Sequence, residues 1–318
     1  IRVGRAAGAS HYRFFHATAS CGGFGAAAAG ASLLSLDAER TTWALGAAGQ
    51  QAFGLWQVRN EPGQTKAFHD GRAAANGVAA AFLAGRGFRA PEMIFEGPQG
   101  FFAALAPEAD PRAVLDDPDG PWRLTQVSTK PHAACRHAHP AIDAALALRE
   151  RLKGRAVAAV LVETYADAIL FCDRPRPQTS GDAKFSLQHA VCTALLFGDA
   201  DLPRFTQGAI EEPEVAAFRS VVAVSEDPAF TGAYPSRFGA RVTVEAAGGE
   251  QLTAEVGDAL GDPENPIDEA GIVAKAKALC LWGGMAPIDA DRLIEVCLAL
   301  GDRCGPKDLA ACLPGASA

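Results

Sequence analysis

Apolar residues recur every three or four positions through the first third of the chain, then alternate in twos, and return to helical spacing near the end. IRVGRAAGASH (1–11) reads as the close of a helix with basic residues in its last turns. CGGFGAAAAGASLLSLD places Phe24, Ala28, Leu33 and Leu34 at near-helical spacing. TTWALGAAGQQAFGLW (41–56) and GRAAANGVAAAFLAG (71–85) predict two more helices of the same small-residue kind. Glycine costs a helix about 1 kcal/mol, so this density predicts helices that approach one another closely.

Between Pro107 and Trp122 the run PEADPRAVLDDPDGPW is too rich in Pro, Asp and Gly for a regular element and reads as a connection. Beyond it VAAVLVETY (157–165) predicts a strand. RVTVEAAGGEQLTAEV (241–256) alternates on both sides of Gly248-Gly249, as a hairpin does. SLQHAVCTALLFG (186–198) predicts a buried helix. DEAGIVAKAKALCLW and ADRLIEVCLALGD return to helical spacing, with Asp289 as the expected cap of the last helix. The expected fold is mostly α: a large all-helical domain formed by residues 1–124 and 263–318, with a smaller α+β domain, 125–262, inserted between them. No internal repeat is apparent.

Composition narrows the classes. The chain has 318 residues, 49% hydrophobic and 21% charged, enough for full cores. Its net charge is −8 and its basic residues form no block, so nucleic acid and anionic membrane surfaces are not expected partners. No apolar run approaches the ~20 residues of a membrane span. Eight cysteines without a C-x-x-C pair fit thiols in a reducing, cytoplasmic compartment, with a stray disulfide as the alternative, and no metal site is expected. The first residue is Ile1 rather than Met, and an upstream segment is expected.

Four stretches carry candidate chemistry. QTKAFHDGRAAANG (64–77) sets Lys66, His69 and Arg72 within seven residues; a helix opened at Asp70 or Gly71 would turn its N–H groups and positive dipole end toward a carboxylate. A solvated lysine and a packed ring are the plainer alternative. HYRFFHATASCGG holds His16 behind a Phe-Phe pair, where desolvation lowers a histidine pKa toward that of a general base. STKPHAACRHAHPAID gathers Lys130, His132, Cys135, Arg136, His137 and His139 just past the expected boundary and reads as a polyanion clamp or as a solvated helix entrance. TSGDAKFSLQHAV offers Asp182, Lys184 and His189 at the start of the buried helix. No G-x-S-x-G, P-loop or G-x-G-x-x-G signature supports a serine hydrolase, NTPase or dinucleotide enzyme.

In this order, FFHATASCGGFGAAAAGASLLSLD, GQTKAFHDGRAAANGVAAAFL, EGPQGFF, KPHAACRHAHPAID, ETYADAILFCDRPRPQT and GDAKFSLQHAV resemble the MmgE/PrpD family nearly end to end. The resemblance implies a helical domain with an α+β lid, a homodimer, and cofactor-independent chemistry on di- or tricarboxylates. Family members dehydrate, decarboxylate or epimerise such acids, among them the 2-methylcitrate dehydratase of propionate catabolism. By position, His16 matches the family histidine after the aromatic pair, Lys66 and His69 its K-x-x-H element, and Lys130 the lysine leading into the lid. Cys135 stands where some members, decarboxylases included, have a catalytic histidine, and His132-Ala133 replaces a frequent Tyr-Pro. The family's upstream Asp-rich segment with its His-Pro has no counterpart ahead of His16.

The resulting expectation is a lyase of the 2-methylcitrate dehydratase type, in which a base removes a proton α to a carboxylate and water leaves from the next carbon. His16, Lys66, His69 and Lys130 are the expected catalytic residues; Arg72, Cys135, His139, Tyr165 and Lys184 are expected to bind substrate. The positive groups near 66 and 130 are expected to share one cavity with His16. An epimerase using the same proton abstraction, or a silent polycarboxylate-binding homologue or partner subunit, is the alternative.

Overall fold

A computed structural model describes residues 1–61 and 63–313. The chain divides into two units, Ile1–Gln126 and Val127–Ala318. The division into 1–124, 125–262 and 263–318, with the last part rejoining the first, stands beside it as a proposal.

The first unit is helical: α1 (Arg2–Tyr12), α2 (Ala17–Leu33), α3 (Ala38–Gly49), the short α4 (Gln57–Asn60), α5 (Thr65–Gly85) and α6 (Phe101–Leu105). Helices α2, α3 and α5 pack mutually. Their core is built from alanine, with Phe24, Trp43, Ile94, Phe101 and Phe102 as the large members. The α2–α5 seam is the closest approach. A Cβ added at Gly77 would lie 2.5 Å from Ala26 Cβ and 2.7 Å from the Ala27 nitrogen, and one at Gly30 would lie 2.7 Å from Ala81 Cβ. The density of Gly and Ala is therefore a packing requirement, as the sequence predicts.

Two expected boundaries move. Helix α3 ends at Gly49 rather than at Trp56, because the chain then crosses the start of α2 and takes a left-handed conformation at Gly54, φ +102°. Helix α5 opens at Thr65, not at Asp70 or Gly71. Asp70 lies inside the helix, with its carboxylate 3.9 Å from His16 Nδ1. The Pro/Asp-rich connection holds only 3-10 turns, Pro111–Val114 and, just beyond it, Arg123–Gln126.

The second unit contains α7 (His139–Leu152), β1 (Val157–Thr164), α8 (Ala166–Cys172), α9 (Ser180–Ala183), α10 (Leu187–Phe197), α11 (Gln207–Glu211), α12 (Pro213–Arg219), β2 (Val222–Glu226), α13 (Pro228–Ala233), β3 (Ala240–Ala246), β4 (Gln251–Val256), α14 (Glu269–Trp282), α15 (Pro287–Leu298) and α16 (Pro306–Ala311). Its sheet has the order β2-β1-β3-β4. β1 runs parallel to β2, with Val160 opposite Val222, and antiparallel to β3, with Val162 opposite Val242. The expected hairpin is β3–β4, turning through Gly249 at φ +81°. Helices α7 and α10 pack beside the sheet. Ser186 caps α10 by accepting from the His189 N–H at 3.0 Å, and Gly198 closes it in the left-handed region.

Strand β2 was not expected from the sequence. Asp289 is not a cap: α15 starts at Pro287 after Ala286, and the carboxylate sits in the first turn, where it meets the positive dipole end. The cap of this kind belongs to α14, where Asp268 accepts from the Gly271 N–H at 2.8 Å. The architecture is thus mostly helical with one small mixed sheet.

The seam yields a paired prediction. Gly77→Ala overpacks α2 against α5 and is expected to cost about 1–3 kcal/mol. Gly25→Ala, on the same helix pair but with nothing within 4 Å of the added methyl, is expected to gain about 0.5–1 kcal/mol from helix propensity. Urea unfolding of the two variants beside the parent checks the signs, and equal effects would contradict the seam.

Candidate active site

His16 occupies the N-cap position of α2, so its ring is fixed by the loop before that helix. Its N–H donates to the Gly54 carbonyl at 2.8 Å, and the Trp56 N–H donates to the Phe14 carbonyl at 2.9 Å. The 14–16 segment is thereby laced to the 54–56 loop. A side chain at Gly54 would strike Ala19, so glycine is needed there for space as well as for backbone angle. The Trp56 ring lies 4.6 Å from the His16 ring, and His16 is buried.

His69, in the second turn of α5, is also buried, and its Nδ1 stands 3.3 Å from His16 Nδ1. Two ring nitrogens at that distance share one hydrogen: one donates and the other accepts. Lys66 is half-buried one turn before Asp70 on the same helix. Burial first, and then the Lys66 charge, pull the His16 pKa down to about 4, with Asp70 opposing and His69 adding to the fall. At neutral pH His16 is therefore an uncharged imidazole, able to take a proton. A hollow of about 330 Å³ adjoins the pair, lined by Gly54, Leu55, Gln57, Val58, Glu61, Thr65 and His69. Thr65 brings the first turn of α5 to its wall, so a helix N-terminus favours an anion there.

A second buried histidine supports this loop. His11 meets the Leu105 carbonyl through Nδ1 at 2.8 Å and Ser20 Oγ through Nε2 at 2.7 Å. A carbonyl only accepts, so Nδ1 carries the hydrogen and Nε2 accepts from the serine. His11 is therefore a fixed tie between α1, α2 and the end of α6. Of the expected residues in this unit, His16, Lys66 and His69 come together, while Arg72 is exposed one turn beyond His69 on α5. Asp70, Gly54 and Trp56 went unremarked as site residues in the sequence, although Asp70 directly follows His69.

In the second unit the segment 128–139 is tied at almost every residue. The Thr129 N–H donates to Gly261 at 2.7 Å, Ala133 to Ala200 at 2.9 Å, and Cys135 to the Lys184 carbonyl at 2.7 Å. Ser128 and Arg136 both bond to Asp262. His132 Nε2 lies 2.9 Å from Asp143 Oδ1, whose other oxygen accepts from the Leu260 N–H at 2.7 Å. Lys130 Nζ donates to the Ala134 carbonyl at 3.3 Å, and the Lys130 carbonyl accepts from Lys275. Around Ala134 the fold thus collects Lys130, Cys135, His139 and the backbone of Lys184.

His139 is fully buried, with Nε2 3.3 Å from the Ala134 carbonyl and Nδ1 without a hydrogen-bond partner among the described residues. Burial, then the charges of His132, Arg136 and Lys130, push its pKa to about 2. It is a neutral ring. Tyr165 is also fully buried; its hydroxyl meets His137 Nδ1 at 2.6 Å, its ring stacks on Tyr234 at 4.7 Å, and burial drives its pKa far up. Tyr165 therefore sits in an aromatic cluster with His137. Among the described residues, no three His, Cys, Asp or Glu side chains gather as metal ligands, no disulfide joins the cysteines, and no helix is long and apolar enough to cross a membrane.

Comparison with known proteins finds one family along both units. Residues 1–113 match the MmgE/PrpD N-terminal domain and residues 132–300 the MmgE/PrpD C-terminal domain. Human cis-aconitate decarboxylase is 30% identical over 223 residues, 67% of this chain and 45% of that protein. The mouse cis-aconitate decarboxylase is 26% identical over 275 residues, 83% of this chain and 55% of that protein. The cis-aconitate decarboxylase-like protein oryM of Aspergillus oryzae is 26% identical over 303 residues, covering 89% and 61%. The chain spans about half the length of the curated relatives it matches. With both halves of the family pattern in order along one sequence, this chain belongs to the MmgE/PrpD family.

Proposed function

We propose that the chain is a lyase for a small di- or tricarboxylate, using proton transfer at the carbon beside a carboxylate. The observation that carries this reading is the buried His16–His69 pair with Lys66 on the same helix as His69. A neutral imidazole accepts the α proton, and the negative charge that moves onto the substrate carboxylate is met by Lys66 and the first turn of α5. Preplaced charge of this kind supplies several kcal/mol of barrier lowering where water is excluded. Lys130 and Lys184 are the candidates for carboxylate binding in the second unit, whose sheet-bearing part is the proposed lid. A homodimer and a place in propionate catabolism belong to the same reading.

The finer choice is the leaving group. Elimination of water from a 2-methylcitrate-like hydroxy acid is the first reading. Loss of CO2 from a cis-aconitate-like acid is the second, favoured by the names of the relatives and opposed by Cys135 in the place of a histidine. Incubation with 2-methylcitrate, citrate and cis-aconitate in deuterated water separates the outcomes. Alkene formation marks dehydration, CO2 release marks decarboxylation, and deuterium uptake with neither marks epimerisation. Binding of all three without any change supports a silent homologue and overturns the lyase reading.

His16→Ala and Lys66→Ala are each expected to lower turnover at least about 100-fold, the scale of general acid–base loss, with far-ultraviolet circular dichroism unchanged. Near-parental rates in both remove these residues from the chemistry.

The pair also predicts a pH dependence that needs no substrate. His16 should titrate near 4 by nuclear magnetic resonance, and Lys66→Gln should raise that value by removing a repelling charge. Because the folded ring gives up its proton more readily than the unfolded one, acid favours unfolding. The stabilisation is complete above the unfolded value near 6.5 and is lost as the pH falls toward about 4. Its full size is about 3 kcal/mol. A His16 titration near 6.5 that ignores Lys66→Gln would contradict the cluster.

A further inference from the structure

Cys135 lies immediately before the 3-10 turn Arg136–Ala138, and Cys172 is the last residue of α8. The turn packs against the helix, with the His137 ring stacked 4.6 Å from the ring of Phe171, the residue before Cys172, and the Cys135 and Cys172 side chains interact. Their exposure differs sharply. Cys172 is fully buried, whereas Cys135 is only partly covered. Two other thiols sit against oxygen instead: Cys21 against the Ser20 hydroxyl and Cys192 against the Val215 carbonyl.

We propose that Cys135 and Cys172 form a reversible peroxide-responsive pair, in which Cys135 is oxidised first and Cys172 closes the disulfide. The inference concerns this pair alone and does not rest on the proposed lyase activity.

The order of events follows from access and charge. A small hydroperoxide reaches Cys135 and not Cys172. The Cys135 sulfur attacks one peroxide oxygen, the O–O bond breaks, and the products are a sulfenic acid and, from hydrogen peroxide, one water. The Cys172 sulfur then attacks the Cys135 sulfur. The S–O bond breaks, the thiol proton of Cys172 leaves with the departing hydroxide, and a second water forms. In sum, two thiols lose two hydrogens and two electrons, and one peroxide becomes two waters.

Lys130 and Arg174 place positive charge within electrostatic reach of Cys172, which favours the thiolate that forms as it resolves its partner. Burial and the neighbouring thiol push Cys172 well up, so Cys172 stays protonated until it resolves its partner. The disulfide requires the sulfurs to close to a bond of about 2.05 Å. It would tie the Lys130-bearing segment to the end of α8 and consume the Cys135 thiol. A reducing compartment keeps such a pair open until oxidant arrives, as transient intracellular disulfides require.

The test uses the full chain treated with hydrogen peroxide, then unfolded, alkylated, digested without reductant and weighed peptide by peptide. The expected result is a cross-linked species joining the Cys135 and Cys172 peptides, lighter by two hydrogens than their sum, which dithiothreitol dissolves. In Cys172→Ala the cross-link should vanish, and dimedone should trap a sulfenic acid at Cys135. The inference is overturned if Cys135 passes to sulfinic acid without a cross-link, if it pairs with another cysteine, or if both thiols stay alkylatable while other cysteines oxidise. Should Cys172→Ala not fold, the parental peptide map alone decides among these outcomes.

Discussion

The contact on which the first unit depends is the approach of α2 to α5. His16 opens one helix and His69 lies near the start of the other, so the 3.3 Å between their Nδ1 atoms is set by how closely the two backbones run. Any side chain at Gly77 separates them, because the backbone around Ala27 already fills that space. Helices so rich in Gly have poor intrinsic stability, and packing rather than propensity holds them. The small-residue seam therefore serves position before stability, and the aromatic residues Phe24, Trp43 and Phe101 supply the apolar bulk at its flanks.

Burial does the electrostatic work at the ring pair. An imidazolium at His16 would need water or a close carboxylate, and Asp70, exposed and 3.9 Å away, is a weak counterweight to desolvation and to Lys66. The ring stays neutral. Lys66 depresses its neighbour and, by the same charge, attracts an anion. In the proposed reaction one residue prepares the base and its substrate field together, and that dual role is the argument for a lysine on the helix that carries His69.

Much of the fold was legible where one period dominates. The alternating runs around Gly248-Gly249, the buried helix between Ser186 and Gly198, and the helical seam all follow from spacing and from residues with a fixed conformational role. The failures share a cause. Strand β2 is short, lies between helices, and exists because β1 offers a parallel edge far away in sequence. The true start of α5 was masked because Asp70, the residue that looks most like a cap, faces a histidine from another helix. The end of α3 is hidden in the sequence because Gln50 to Trp56 keeps a helical rhythm, while Gly54 must bend left-handed to reach the His16 amide. In each case a long-range partner overrode local preference.

Polar density along a sequence is a poor measure of a binding surface, and residues 128–139 show why. Read alone, Lys130, His132, Arg136, His137 and His139 make a positive clamp. Folded, Arg136 is paired with Asp262, His132 faces Asp143, His137 meets the Tyr165 hydroxyl, and His139 is a neutral buried ring. Groups that sequence would assign to an anion are used to pin a chain segment that has little regular structure of its own. A segment without a hydrogen-bonded ladder must satisfy its backbone and side chains individually, and that requirement recruits the polar residues. The rigidity gained is what a site needs, because a lysine or a thiol on an untethered loop would hold no fixed position. The density that suggested binding is better understood as the scaffold on which Lys130 and Cys135 are held.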